Sequence, residues 1–235
     1  NNYLIWHFLA KCRELGLIYK GLDTVPWCPR CGTAISQHEI LTEEYQETTH
    51  TAVTVKYPIL GRENEYFLVW TTTPWTLPSN VSIAINPELT YSRIRMNGDI
   101  YYIARDRIIP VLGSDVEVLE EMTGDRLLNI EYKGLFDHLP AVDAARVNNP
   151  RTFHRTIDGK DLVTSEEGTG LVHIAPACGH EDFILGKANN LSLIHIIDEQ
   201  AVFLDGFGEF SGEKASDPTP IIEYLKANGF LLRDE

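Results

Sequence analysis

Residues 66–78 read Tyr-Phe-Leu-Val-Trp-Thr-Thr-Thr-Pro-Trp-Thr-Leu-Pro and join a buried-strand signal to a polar strand end. The apolar run from Tyr66 to Trp70 is typical of a strand buried on both faces, and Pro74 stops its ladder. Three threonine hydroxyls therefore leave the strand where no ladder partner binds them. Such hydroxyls both donate and accept, so they can hold a water and a sugar hydroxyl together. The alternative is an ordinary strand before a proline turn, since Thr is a good strand former.

Other short strand signals surround this stretch. Further strands are predicted at 53–57, 81–85, 92–96, 100–103, 116–119, 127–132 and 171–174, with a hairpin turn at Asn97-Gly98. Helices are predicted at 3–15, 182–190 and 217–228, and residues 137–165 are predicted to form a long surface loop. Many short strands with few helices favour a mainly β fold, a closed or nearly closed β-barrel with peripheral helices.

Composition narrows the function classes. The 235 residues carry 20 Lys and Arg against 34 Asp and Glu, a net charge of −14, which predicts poor general binding of nucleic acid. No apolar run is long enough to predict a membrane span. Four cysteines are too few for a disulfide scaffold and favour a reducing, cytoplasmic setting. The opening residues 1–6 are typical of the interior of a structure, which predicts a piece of a longer chain.

A second polar motif follows a late strand signal. Residues 168–176 read Gly-Thr-Gly-Leu-Val-His-Ile-Ala-Pro, and Cys178-Gly-His-Glu-Asp182 follows. His173 could act in acid–base chemistry, although a lone strand histidine is often a core residue. Glu181 and Asp182 fall at a predicted helix start, where capping alone would explain a carboxylate. A metal site built from these residues lacks any recognisable ligand spacing.

A third motif is the pair Cys28-Pro-Arg-Cys31, which has the spacing of half a tetrahedral zinc site. Cys12 falls in a predicted helix and Cys178 stands alone, so no second pair is present. His38 is a candidate third ligand without further support.

Three stretches together resemble the editing (CP1) domain of isoleucyl-tRNA synthetases: 70–81, 84–91 and 167–176, in the same order and spacing. The valyl and leucyl members carry Thr-Thr-Arg-Pro where this chain has Thr-Thr-Pro at 72–74. The aminoacylation signatures of class I synthetases do not occur here, so the resemblance implies an excised editing domain. It implies an N-terminal connecting segment at 1–36 and the editing domain at 37–235.

The resemblance also implies a reaction and its residues. The reaction is hydrolysis of valine from mischarged tRNA(Ile), by direct attack of water on the aminoacyl ester. Catalytic roles are implied for Asp182, His173, Thr72 and Thr73, with Asp182 binding the α-ammonium group. Substrate contacts are implied for Thr71, Trp75, Thr76, Gly170, Ala175 and Pro176. This chain departs from its relatives at Cys178, where they carry an aromatic residue, and at His180.

The implied partners are the 3′ end of tRNA and the catalytic body of the parent synthetase in cis, with no membrane. The editing pocket is expected to need no cofactor, whereas Cys28 and Cys31 resemble half of a zinc knuckle whose other cysteines lie outside this chain. Two alternatives stay open: a non-catalytic tRNA-docking or zinc-assisted structural module, and a free-standing metal hydrolase.

Overall fold

The structure is a computed structural model that describes residues 1–42 and 48–235. The helices are α1 (Asn2–Glu14), α2 (Gln37–Thr42), α3 (Ile108–Leu112), α4 (Pro140–Asn148), α5 (His180–Ala188) and α6 (Thr219–Ala227). The strands are β1 (Trp27–Cys28), β2 (Thr33–Ala34), β3 (Val53–Pro58), β4 (Glu65–Thr71), β5 (Ser82–Ile85), β6 (Thr90–Met96), β7 (Asp99–Ala104), β8 (Glu117–Thr123), β9 (Arg155–Asp158), β10 (Leu171–Ile174) and β11 (Leu231–Asp234). A 3₁₀ helix covers Pro74–Ser79, and others cover Arg105–Arg107, Gly124–Leu127 and Gly208–Phe210.

The strands form three separate sheets. The largest has the order β11-β3-β4-β7-β6-β8, in which the β4–β7 pair is parallel and its other pairs are antiparallel. A three-stranded sheet has the order β10-β5-β9, with β10 antiparallel and β9 parallel to the central β5. The pair β1–β2 forms a small hairpin. Ile83 lies opposite His173, which fixes the register of the histidine strand.

The predicted β-barrel is wrong. In the described part of the chain β11 and β8 are open edges of the large sheet, and no strand pair closes it. Helix and strand also contribute similar shares, 29% and 26%, so the fold is mixed rather than mainly β. Strand periodicity predicts where strands lie but carries no signal for their pairing. Each of the two larger sheets contains one parallel pair, β4–β7 or β5–β9, whose strands are not consecutive in sequence.

Alternate residues of β4 enter two different cores, which explains its continuous apolar run. Phe67 and Val69 join the main core, which also contains Ile83 of β5, Leu171 of β10 and Leu225 of α6. The side chain of Leu68 enters a second core on the other face. The prediction of a strand buried on both faces is therefore confirmed.

Residues 137–165 are more ordered than predicted. Pro140 occupies the first turn of α4, where its missing amide hydrogen costs nothing, and Val142 is buried. The strand β9 pairs in parallel with β5, and its Thr156 is fully buried. This strand was missed because its buried residue is polar. The strand predicted at 127–132 is also wrong, since that stretch contributes only isolated bridges at Glu131 and Tyr132.

The helix α1 exposes several large apolar side chains to solvent. None of its residues is buried, and the exposed side chains include those of Tyr3, Leu4, Trp6 and Phe8. Exposed apolar surface on this scale marks an interaction surface. Among the described helices, none is both long enough and apolar enough to cross a bilayer.

Candidate functional site

A cavity of about 310 Å³ lies where the ends of β4 and β10 approach each other. β4 ends at Thr71, and Pro74 turns the chain into the 3₁₀ helix. Thr71, Thr72 and Thr73 line the cavity together with His173 of β10 and Asp182 of α5. The remaining lining residues are Trp70, Leu162, Thr164 and 167–172. The threonine motif and the late histidine–aspartate motif, about 100 residues apart, thus meet at one site.

The threonine hydroxyls form a connected cluster. The hydroxyl of Thr71 accepts the backbone amide of Thr73 at 3.1 Å and lies 3.2 Å from the Thr73 hydroxyl. The Thr73 hydroxyl lies 3.4 Å from that of Thr76, which donates to the Thr73 carbonyl at 2.8 Å. Thr72 and Thr73 are exposed, whereas Thr71 and Thr76 are buried. The cluster therefore presents polar oxygens to the cavity from a fixed base.

His173 is a buried, neutral imidazole. Its Nε2 atom lies 2.9 Å from the hydroxyl of Thr76. Burial lowers the pKa of His173 to about 4, because the charged ring would lose its hydration. Within the described residues its Nδ1 atom has no hydrogen-bond partner. The ring is therefore a neutral wall of the cavity at physiological pH.

Asp182 supplies a carboxylate for which the described residues provide no salt-bridge partner. Its Oδ2 atom accepts the backbone amide of Ala175 at 3.0 Å. Burial raises the pKa of Asp182 to about 6, the Ala175 amide opposes this shift and the neighbouring Glu181 adds to it. A half-buried carboxylate with an elevated pKa gains most from a cation placed against it.

The opposite wall, residues 167–170, is clamped by long-range hydrogen bonds. Arg107 donates to the carbonyls of Glu166 at 2.8 Å and Gly168 at 2.9 Å. Tyr91 donates from its hydroxyl to the Gly170 carbonyl at 2.7 Å. Gly170 has a φ of +74°, and a Cβ atom there would come within 2.3 Å of the Ala104 Cβ. This position therefore requires glycine for both conformation and space.

A second, larger cavity of about 620 Å³ lies on the other side of Thr72 and Thr73, which line both spaces. Trp75 and Cys178 line only this larger cavity, together with residues of the β1–β2 hairpin. Trp75 is partly buried against the main core. Burial raises the pKa of Cys178 to about 11, so its thiol stays protonated.

Not all of the predicted site residues share the Asp182 cavity. Gly170 lines the cavity, and Ala175 contributes its backbone amide to Asp182. Pro176 is buried, and a Cβ atom on Gly186 of α5 would come within 2.8 Å of its ring. Thr76 reaches His173 rather than the cavity surface. Trp75 lies in the neighbouring space.

Sequence reasoning missed two residues that hold the cavity wall, Arg107 and Tyr91. Tyr91 stood inside a recognised stretch without an assigned role. Arg107 lies in a 3₁₀ turn, and its partners are about 60 residues away in sequence. No local sequence pattern predicts that a side chain will bind backbone carbonyls far away in the sequence.

The hairpin β1–β2 carries Cys28 and, in its turn, Cys31, the two cysteines of the predicted half zinc site. The backbone amide of Cys31 donates to the Sγ atom of Cys28 at 3.4 Å, and this bond lowers the pKa of Cys28. Two thiols on one tight hairpin fit two corners of a zinc tetrahedron. Within residues 1–42 and 48–235 no third His, Cys, Asp or Glu completes this or any other metal site. The hairpin contacts the rest of the chain through Trp27, which donates to the Glu199 carbonyl at 2.9 Å.

The departure at His180 lies at the same junction. Its Nδ1 atom is 3.1 Å from the hydroxyl of Thr24, just before the hairpin. The exposed His180 therefore contacts the segment at 1–36 rather than the Asp182 cavity.

The family model and the relatives found by comparison with known proteins point to the same family. The family described as class I tRNA synthetases (I, L, M and V) matches residues 2–219. The chain is 38% identical over 238 residues to an isoleucine–tRNA ligase 2 of Bacillus cereus and 40% identical over 239 residues to the isoleucine–tRNA ligase of Clostridium acetobutylicum. Both alignments cover all of this chain but only 22% of the relative. The chain thus spans about a fifth of the length of these relatives.

Two solved structures share the fold. The crystal structure of GlLeuRS-CP1 superposes with a TM-score of 0.59 at 10% identity, covering 78% of this chain and 98% of that one. The P. knowlesi cytosolic leucyl-tRNA synthetase editing domain gives 0.51 at 8% identity, covering 80% and 97%. The chain therefore belongs to the class I tRNA synthetases and has the fold of their editing domain.

Proposed function

We propose that this chain is the hydrolytic editing domain of an isoleucyl-tRNA synthetase and removes valine from mischarged tRNA(Ile). The observation that carries the proposal is the meeting of the Asp182 carboxylate with the hydroxyls of Thr71, Thr72 and Thr73 around one cavity. The similarity to isoleucine–tRNA ligases across the whole chain supports it.

The substrate has three groups that need partners: an α-ammonium, an ester carbonyl and a ribose hydroxyl. In this proposal Asp182 binds the ammonium, because no cation among residues 1–42 and 48–235 pairs with its carboxylate and an unpaired, partly desolvated charge is costly. The exposed Thr72 and Thr73 hydroxyls bind the ribose and the attacking water. His173 forms a neutral, rigid wall beside the amino-acid side chain, which limits its size.

Water attacks the ester carbonyl directly in this scheme. The bond from the carbonyl carbon to the ribose oxygen breaks, and the proton lost by the water ends on that oxygen. The groups at the cavity offer positioning rather than a protein nucleophile: Cys178 lines the neighbouring cavity, and its thiol is protonated. Orientation supplies much of the rate for an already activated ester.

In this proposal the hydrolytic pocket compensates for the limited selectivity of the aminoacylation pocket in the parent synthetase. One missing methylene in a hydrophobic pocket changes binding by about 1–3 kcal/mol, and the handling of isoleucine against valine by these synthetases is the standard worked example of that limit. A hydrolytic site that admits valine and excludes isoleucine by size adds a second selection step.

The further partners are also proposals. The exposed apolar helix α1 would pack against the catalytic body of a parent synthetase, which its relatives' greater length supports. Cys28 and Cys31 would hold zinc together with two cysteines elsewhere in that parent, and zinc analysis of the parent with and without Cys28→Ser tests this. The proposed location is the cytoplasm, where free thiols persist.

Deacylation of valyl-tRNA(Ile) by the parent synthetase tests the proposal. The variant Asp182→Ala should lose about 100-fold in rate, the size expected when a buried charge loses its partner. Glu181→Ala is the matched control, because Glu181 is an exposed carboxylate in the same helical turn and outside the cavity. An equal rate in the Asp182 variant would contradict the role assigned to Asp182, whereas tRNA binding without deacylation in the unaltered enzyme would favour the non-catalytic alternative.

A further inference from the structure

The hydroxyl of Thr76 occupies the centre of a hydrogen-bonded chain that the proposed chemistry has not used. It lies 2.8 Å from the Thr73 carbonyl, 2.9 Å from the His173 Nε2 atom and 3.4 Å from the Thr73 hydroxyl. Thr76 is only 5% exposed, and His173 is 7% exposed. Water therefore has little access to these contacts, and the protons must be distributed among the groups themselves.

Counting the available protons shows which group donates and which accepts in each hydrogen bond around Thr76. The Thr73 carbonyl can only accept, so a 2.8 Å contact with it takes the single hydroxyl proton of Thr76. The Thr76 oxygen then offers lone pairs only, and the His173 Nε2 atom must carry the proton that joins them. The opposite arrangement would hold two acceptor oxygens 2.8 Å apart without a proton between them.

The unpartnered Nδ1 atom of His173 favours the same assignment. A neutral imidazole carries one proton, and the other nitrogen accepts. With the proton on Nε2, the buried Nδ1 is a bare acceptor. With the proton on Nδ1, a buried N–H donor would be left without any acceptor among the described residues, which is rarer and more costly.

The same assignment of donors and acceptors extends from Thr76 to Thr73, which faces the cavity. Because Thr76 has spent its proton, a hydrogen bond across the 3.4 Å between the two hydroxyls uses the proton of Thr73, whose oxygen also lies 3.2 Å from the Thr71 hydroxyl. Thr73 is exposed to the cavity, and its oxygen then keeps lone pairs that can accept a hydrogen bond from a water there. The buried histidine thus acts on the cavity through two threonines.

We propose that Thr76 is a positioning residue that holds His173 as its Nε2–H tautomer and orients the Thr73 hydroxyl as a hydrogen-bond acceptor for the attacking water. The proposal deepens the hydrolytic function proposed above and rests on it for the identity of the water. It assigns His173 an orienting role in addition to that of a wall.

Two measurements on matched variants test it. In the chain labelled with ¹⁵N-histidine, the resonance pair of His173, assigned by its loss in His173→Asn, should show a protonated Nε2 and an unprotonated Nδ1. Thr76→Val, which keeps the shape but lacks the hydroxyl, should lose this tautomer preference. In the parent synthetase it should lower kcat for valyl-tRNA(Ile) deacylation about tenfold, the effect of one hydrogen bond, with little change in KM.

Thr76→Ser keeps the hydroxyl and is expected to restore both the tautomer and most of the rate. A protonated Nδ1 in the unaltered chain, or an unchanged kcat in Thr76→Val, would overturn the proposal. If Thr76→Val does not fold, the spectra of the unaltered chain and of Thr76→Ser still decide it. A parent enzyme that shows the Nε2–H tautomer but hydrolyses no valyl-tRNA would refute the hydrolytic function and support the tautomer assignment.

Discussion

The Oδ2 atom of Asp182 accepts the backbone amide of Ala175 across 3.0 Å. This bond ties the first turn of α5 to the residue that follows β10, so the carboxylate cannot swing away from the cavity. The helix start and the strand end are thereby held as one unit. Their joint effect is a partly desolvated carboxylate whose pKa is raised to about 6, within the range where its charge can be tested by titration.

The first prediction concerns the pH dependence of deacylation. Asp182 must be ionised to bind an ammonium, so kcat/KM of the parent synthetase should fall as the pH drops below about 6. The pKa of His173 is lowered to about 4, so this residue stays neutral throughout that range. A pH–rate profile should therefore keep its acidic limb in His173→Asn. If the acidic limb disappeared in this variant, the titrating group would be His173 and not Asp182.

The second prediction concerns stability. Because the folded pKa of Asp182 lies above the ordinary 3.8, its contribution to stability is full below pH 3.8 and is lost as the pH rises through about 6. At pH 7.5 the charged carboxylate therefore destabilises the fold. Asp182→Asn should raise the melting temperature at pH 7.5 by roughly 5 °C, and the gap should vanish near pH 4. Glu181→Gln, at an exposed site, should leave the melting temperature unchanged at both pH values.

The third prediction separates conformational strain from steric overlap. Gly170 and Gly98 both have positive φ, +74° and +90°, but an added Cβ meets Ala104 at Gly170 and open space at Gly98. Gly98→Ala should cost about 1–2 kcal/mol in the free energy of unfolding, from the backbone alone. Gly170→Ala should cost roughly 2 kcal/mol more, because the overlap adds to the strain. Equal losses in chemical denaturation would show that Ala104 yields to the new methyl group.

The fourth prediction concerns the clamp on the cavity wall. Arg107→Met removes the donors to the Glu166 and Gly168 carbonyls but keeps the length of the side chain. A misplaced wall should raise KM for valyl-tRNA(Ile) and lower kcat. The combined fall in kcat/KM should be about tenfold, the effect of roughly one lost hydrogen bond. Arg105→Met in the same 3₁₀ turn is the control, since Arg105 is exposed and pairs at the surface with its neighbour Asp106. Similar kinetics for both variants would argue against a clamp.

The sequence predicted local elements well and their assembly poorly. The strand at 171–174 was predicted with the bounds that the structure shows, and Asn97-Gly98 turns between β6 and β7 with positive φ at both residues. These features depend on neighbours in sequence. The parallel pairings of β4 with β7 and of β5 with β9 depend on side chains far along the chain, and no local periodicity encodes them.

For the candidate site, too, the sequence predicted the motifs but not the full arrangement of their residues. The motifs around Thr72 and His173 could be found because their residue types and spacing resemble a known family, and the structure places both on one cavity. Their roles stay predictions. The position of Trp75 on the neighbouring cavity could not be foreseen, because the turn at Pro74 decides which side of the threonines each following residue faces.

The separation of Thr76 from His173 by 97 residues has a consequence for how the domain is made. A ribosome adds about 5–20 residues per second, so the threonine cluster emerges roughly 5–20 s before its histidine partner. Until β9 (Arg155–Asp158) is made, β5 lacks both of its sheet neighbours, and the second neighbour, β10, follows only at Leu171–Ile174. The nascent polypeptide is therefore most exposed to chaperones and misassembly while residues 82–174 are being translated.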